Sequence, residues 1–187
     1  MNRRAAVAAA AVGIVALASV PLGGAAGRLP TCGLDQVLIA RTEGMSEKTQ
    51  QHTTAFLLAN VSSRTCRLDG YPSLALLDGR GRALSFVYPR RSDQMITAAR
   101  PVEVRLAPRQ SAFFAFNKNV CVGHTNRYAR TLRVVLPGGQ SRWTVDLGPR
   151  AVDYCGGGDP GHVITVSPVE SRFSGAFCLS QGPCRRR

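Results

Sequence analysis

Short apolar runs bounded by turn residues recur along the chain from residue 36 onward, and no long stretch carries the 3.6-residue period of an amphipathic helix. The clearest alternation is Val102-Glu103-Val104-Arg105-Leu106, which predicts a half-buried strand with the valines and leucine inward and Glu103 and Arg105 in water. Ala55-Phe56-Leu57-Leu58-Ala59 is apolar on both faces and predicts a central strand. Strands are expected at Gln36–Arg41, His52–Val61, Ser73–Asp78, Arg82–Tyr88, Val102–Ala107, Ser111–Asn117, Thr131–Leu136, Arg142–Leu147 and Val163–Ser167. Turn chemistry falls between them, as at Asp78-Gly79-Arg80-Gly81 and Pro137-Gly138-Gly139. Eight or nine short strands at this spacing predict an all-β fold, an immunoglobulin-like antiparallel β-sandwich.

Residues 1–27 read differently. Arg3 and Arg4 supply a positive start, Ala5 to Val20 an apolar core, and Pro21 to Gly27 a small-residue segment that a signal peptidase can cut. A bilayer anchor needs about 20 apolar residues, and Pro21 with its following glycines ends this run early. The expected organisation is a secretory signal peptide at 1–27, the β-sandwich at 28–168, and a cysteine-containing basic tail at 169–187. No transmembrane span remains after cleavage, so the product is expected outside the cell or in its envelope. Leu29-Pro30-Thr31-Cys32 is a poor lipobox, because Thr31 rather than a small residue precedes the cysteine and Val20 lies twelve residues upstream.

Export narrows what the charge can mean. The 187 residues carry a net +13, and removing the signal with its two arginines and no acid leaves +11. All of the basic side chains except Lys48 and Lys118 are arginine, scattered rather than gathered into one stripe. Such scatter suits either arginine-favouring codon usage or an anionic partner, for which a cell-envelope polymer or another secreted protein is the expectation. Nucleic acid is not expected, since an exported protein rarely meets it and no aromatic-interleaved basic motif occurs. The triple-arginine end after Cys184 reads as a solvated tail.

Six cysteines in an exported chain imply disulfides and permit fifteen pairings. Strands Thr131–Leu136 and Arg142–Leu147 fold about Pro137-Gly138-Gly139 as a hairpin, and Cys121 and Cys155 lie sixteen residues outside Pro137 and Gly139 respectively. Antiparallel pairing brings them together. The same symmetry about the Glu43–Gln50 loop pairs Cys32 with Cys66, and elimination pairs Cys178 with Cys184. Zinc would need a second ligand pair beside Cys121-Val122-Gly123-His124, so no metal is expected.

Catalytic constellations are missing from the sequence. His52, His124 and His162 show no metal-type spacing, the acids are dispersed, and no nucleophile elbow, Walker loop or dinucleotide glycine pattern occurs. We therefore expect no enzyme and no cofactor, but a non-catalytic envelope-associated or extracellular binding module. The alternatives are a secreted hydrolase with a loop-borne site, which needs His124, Asp153 or His162 in one pocket, and a structural or inhibitory partner of a secreted protein. Candidate ligand contacts are Arg90 and Arg91, with Asp93 interrupting their charge, Tyr71, and the loop from Asn117 to Arg130.

From Asn60 to Pro72 the residues become specific. Asn60-Val61-Ser62, then Cys66, then Gly70-Tyr71-Pro72, with Leu74 to Asp78 and Gly81 following, resembles the secreted actinobacterial family catalogued as domain of unknown function 4232. The resemblance extends more loosely from Cys32 to about Pro168. It implies an exported or lipid-anchored β-sandwich and brings no activity or catalytic residue. This chain departs from the family in lacking a lipobox and in adding Cys178, Cys184 and the arginine end. Physically the motif reads as scaffold: Asn60 and Ser62 close a strand end, Gly70 takes a positive φ, and Pro72 holds Tyr71 extended. The Asn60-Val61-Ser62 sequon is then incidental.

Overall fold

The computed structural model describes residues 28–42, 51–124 and 127–178. The expected signal peptide, the Glu43–Gln50 loop and the end of the tail with Cys184 lie outside the described residues. In chain order the strands are β1 Val37–Arg41, β2 Gln51–Asn60, β3 Cys66–Leu68, β4 Ser73–Leu77, β5 Val104–Leu106, β6 Ser111–Asn119, β7 Arg127–Ala129, β8 Thr131–Val135, β9 Arg142–Asp146, β10 Val152–Tyr154 and β11 Ile164–Val166. Every ladder between these strands is antiparallel.

One sheet runs β1-β2-β6-β11 and the facing sheet β4-β8-β9, with two short ribbons, β3-β5 and β7-β10, at their ends. This neighbour order is that of an immunoglobulin sandwich, in which strands A, B, E and D face C, F and G. The place of D is taken here by β11, from the far end of the chain. Phe56 and Leu58 of β2, Phe114 and Phe116 of β6 and Ile164 of β11 meet Leu76 of β4, Leu132 and Val134 of β8 and Trp143 of β9 in one core. The Phe56 and Phe114 rings stack 4.8 Å apart. Each such phenyl ring contributes about 1.5–3 kcal/mol by leaving water. Across the sheets, Trp143 Nε1 donates to the Val37 carbonyl at 2.9 Å, which ties β9 to the β1 edge.

The outer face of the four-stranded sheet is also covered. Ala55 of β2 and Ala115 of β6 leave room for Ile96, Ala176 and Phe177, which form a second, smaller cluster there. Towards one end of this face the positions turn polar. Asn117 donates to Gln51 Oε1 at 2.7 Å and to Asp93 Oδ2 at 2.8 Å, and it accepts from Thr53 Oγ1 at 2.8 Å. Asp93 Oδ1 receives the N–H groups of Met95 and Ile96, each at 2.7 Å.

Two disulfides join strand ends. Cys32 bonds Cys66 and Cys121 bonds Cys155, the pairs selected by symmetry about the two loops. Cys178 is also disulfide-bonded, while Cys184, its expected partner, lies outside the described residues.

Two expectations need correction. Arg82–Tyr88 is not a strand: Ala83 and Val87 make only isolated bridges, and Phe86 N bonds the Leu84 carbonyl in a tight bend that breaks the ladder. Val102 does not share the inward face of Val104 and Leu106, because β5 starts at Val104 and Val102 is 71% exposed. The three-residue strands β3, β7 and β10 escaped notice because so few residues show no period.

Asn60 locks the end of β2. Its Nδ2 donates to the Arg64 and Leu106 carbonyls at 2.8 Å each, and its Oδ1 receives Ser62 N at 2.9 Å and Ser62 Oγ at 2.8 Å. A side chain only 1% exposed thereby closes one turn and holds β5 to it, which leaves no room for a glycan. We predict that Asn60→Ala, by stranding these groups, costs about 3 kcal/mol in urea unfolding. Asn60→Asp keeps the size but loses both donors, and it should cost at least as much.

Candidate functional site

The hairpin β8-β9 continues outward into β7-β10, but the two sides are unequal. Arg130 alone separates β7 from β8, whereas Leu147 to Ala151 separate β9 from β10. The longer side bulges, with Gly148 at φ 82° and Arg150 at φ 56°. Only glycine adopts such a φ freely, so Arg150 carries a backbone strain of about 1–2 kcal/mol. The turn after β4 packs beside this break: Arg130 N donates to the Leu77 carbonyl at 2.9 Å, and the Arg130 guanidinium lies against Gly79.

Between the turn and the bulge lies an open groove of about 750 Å³ lined by Arg80, Arg82, Arg127, Arg130 and Arg150, with Tyr128 and a single acid, Asp78. Asp78 is already engaged. Its carboxylate receives Arg80 N at 2.8 Å, Arg82 N at 3.0 Å and Arg82 Nε at 3.1 Å. The Arg82 and Arg80 N–H groups, reinforced by the Arg82 guanidinium, outweigh burial and hold the carboxyl below the ordinary aspartate value. Arg127 lies over the Tyr154 ring at 4.9 Å and Arg150 over Tyr128 at 6.0 Å. Among the described residues, no carboxylate pairs with Arg80, Arg130 or Arg150.

The residues singled out by sequence lie elsewhere. Arg90 sits over the Tyr71 ring at 5.4 Å, and the Tyr71 hydroxyl donates to the Ala99 carbonyl at 3.3 Å. Burial raises the Tyr71 phenol, Arg90 partly offsetting it and Glu170 adding to it. Arg91 is exposed, and Asp93, rather than interrupting a surface charge run, turns inward to Asn117 and Thr165. The Asn117–Arg130 segment is only partly a loop. Asn117 and Lys118 are buried in β6, Arg127 and Tyr128 belong to β7, and residues 125 and 126 lie outside the described residues. Its far end nevertheless supplies two of the groove's arginines. Arg80, Arg82 and Arg150 were missed because they are spread over 70 positions; the Arg80-Gly81-Arg82 turn was the one local signal.

Lys118 is the other unusual cation. On the core side of β6, beside Phe116, its Nζ donates to Asp153 Oδ1 at 2.7 Å and to the Asn119 carbonyl at 2.6 Å. Asp153 Oδ2 accepts Cys121 N at 3.3 Å. Burial pulls the ammonium below its ordinary value, and Asp153 offsets part of that. Burial pushes the Asp153 carboxyl up, but the Lys118 hydrogen bond and charge, with Cys121 N–H, more than reverse it. His162 Nδ1 is hydrogen-bonded to the Asp159 carbonyl, and His124 is exposed. Cys121, Cys155 and Asp159 converge, but the sulfurs are bonded to each other and offer no thiolate to a metal. Asp159 instead receives the N–H groups of Val122, Gly123 and Gly161.

A family model for a domain of unknown function, DUF4232, matches residues 32–170. The chain belongs to the DUF4232 family. No curated protein and no solved structure matches it. The matched span begins at the first cysteine of the Cys32–Cys66 bridge and takes in both sheets, both described disulfides and the groove of this DUF4232 protein. Its Asn60–Pro72 motif is held in place by hydrogen bonds of its own side chains and backbone. Asn60 closes the turn, Gly70 has φ 122°, Pro72 is buried, and the Gly70 carbonyl accepts Val169 N at 2.9 Å.

The Lys118–Asp153 pair gives an asymmetric prediction, since the lysine side chain is 0% exposed and the aspartate 21%. Asp153→Ala leaves a buried ammonium facing one carbonyl and should cost about 3–5 kcal/mol in chemical unfolding. Lys118→Met leaves a carboxylate that reaches water and should cost less, and the double variant should recover much of the Asp153→Ala loss. Because the folded Asp153 value is lowered, its contribution is full above its unfolded value of about 4 and fades as pH falls through the folded one. Asp153→Asn should therefore flatten the acid limb of stability against pH.

Proposed function

We propose that this DUF4232 protein is a non-catalytic binding module of the cell envelope or extracellular space, and that its partner is anionic and seats in the arginine groove. The carrying observation is the imbalance of charge there: five arginines and one carboxylate line the groove, and Arg82 has taken that carboxylate. Like charges lining one groove repel, and an anion that enters relieves the repulsion. Strain at Arg150, on the groove's wall, is the kind of cost that binding sites carry. The groove's lining has no histidine, serine, cysteine or lysine to act as nucleophile or general base, and its one aspartate is held as a charged, hydrogen-bonded carboxylate. Two described disulfides fit a life in an oxidising compartment.

Co-sedimentation of the oxidised protein with cell-envelope fractions tests this reading. Binding should be strongest at low salt and fall steeply as the Debye length shrinks to about 8 Å near physiological ionic strength. Arg80→Gln combined with Arg130→Gln should abolish most of it without lowering the unfolding midpoint, because both side chains are exposed and their loss relieves repulsion between like charges. Salt-independent binding, or binding indifferent to these substitutions, would contradict the proposal.

A further inference from the structure

Building on the anion-binding reading of the groove, we infer that its ligand carries clustered phosphate groups rather than isolated carboxylates. Asp78 shows what one carboxylate can do there. Its two oxygens are filled by the N–H groups of Arg80 and Arg82 and by a single guanidinium, that of Arg82. The side chains of Arg80, Arg130 and Arg150 still line the same space and pair with no carboxylate among the described residues. Each guanidinium presents five N–H donors in a planar fork that is satisfied by pairs of oxygens.

Density of charge and oxygens distinguishes the anions able to fill the groove. About 750 Å³ is the space of one small ligand or a short stretch of polymer. A carboxylate chain brings roughly one charge and two oxygens per residue into that space. A phosphate monoester brings about two charges and three terminal oxygens on one atom, and neighbouring phosphates multiply both. Clustered phosphate is thus the chemistry that matches so many guanidiniums in so little room. A phosphorylated lipid headgroup and a soluble or glycan-borne phosphate share it.

The test is calorimetric titration of the exported, oxidised protein with tripolyphosphate and with citrate at fixed ionic strength. We expect tripolyphosphate to bind at least tenfold more tightly. The preference should vanish in the Arg80→Gln, Arg130→Gln double variant and persist in Arg90→Gln, Arg91→Gln, whose side chains lie outside the groove. Equal affinity for the two anions would overturn the phosphate assignment while leaving an anion site in place. Binding of neither would overturn the anion-binding reading as well. If tripolyphosphate is preferred, sedimentation with vesicles containing a phosphorylated inositol lipid, against phosphatidylcholine vesicles, assigns the source. Capture by the former supports a headgroup, and its absence supports soluble or glycan-borne phosphate; both outcomes keep the clustered-phosphate ligand.

Discussion

The antiparallel pairing of β2 with β6, from Gln51 opposite Asn119 to Ala59 opposite Ser111, is the constraint on which the rest of the structure depends. Its register puts Phe56 opposite Phe114 on the core side and Ala55 opposite Ala115 on the outer side. Sliding one strand by a single residue would turn the phenylalanines out and the alanines in, so burial fixes the register. The outer face can then accept Ile96 and Phe177 only because alanine leaves room for them. At one end of the same pair, Lys118 sits opposite His52 and reaches Asp153 on β10, which ties this sheet to the ribbon that continues the opposite sheet. At the other end, Asn60 closes β2 onto β5.

The groove follows from how that ribbon is interrupted. A continuous hairpin from β7 to β10 would leave no recess. The unequal connections push Arg150 outward into a left-handed conformation while Arg130 bridges directly between strands. The turn of β4 then brings Arg80 and Arg82 to the same place. Stability and binding are opposed here. Strain and crowded positive charge lower the stability of the unliganded protein, and under the proposed function an anionic ligand turns both to its advantage. Lys118 is different in kind, since its ion pair is closed, buried and internal.

The parts that were legible in the sequence are those encoded by local period and by symmetry about loops. The alternation around Val104, the two-sided apolar run of β2 and the Pro137-Gly138-Gly139 turn each specified their element through residues adjacent in the chain. The disulfide pairs followed from the same antiparallel symmetry. What stayed hidden was produced by tertiary placement. Arg90 and Arg91 stood out because they are neighbours in sequence, whereas the groove draws its arginines from the β4 turn, from β7 and its end, and from the bulge before β10. Likewise Lys118 read as one of two lysines in the chain, and nothing local announced that Asp153 would meet it in the core. The bend at Leu84–Phe86 was masked by a strand-like alternation that is satisfied by burial without a ladder.

The most direct measurement is the paired thermal unfolding and anion titration of Arg150→Gly. Glycine adopts the left-handed backbone without strain, so the unliganded variant should melt higher, by an equivalent of about 1 kcal/mol. The same substitution removes a guanidinium from the groove, so we predict that anion affinity falls. A variant that melts higher and binds tripolyphosphate as tightly as the parent protein would show that the groove is not where the anion sits.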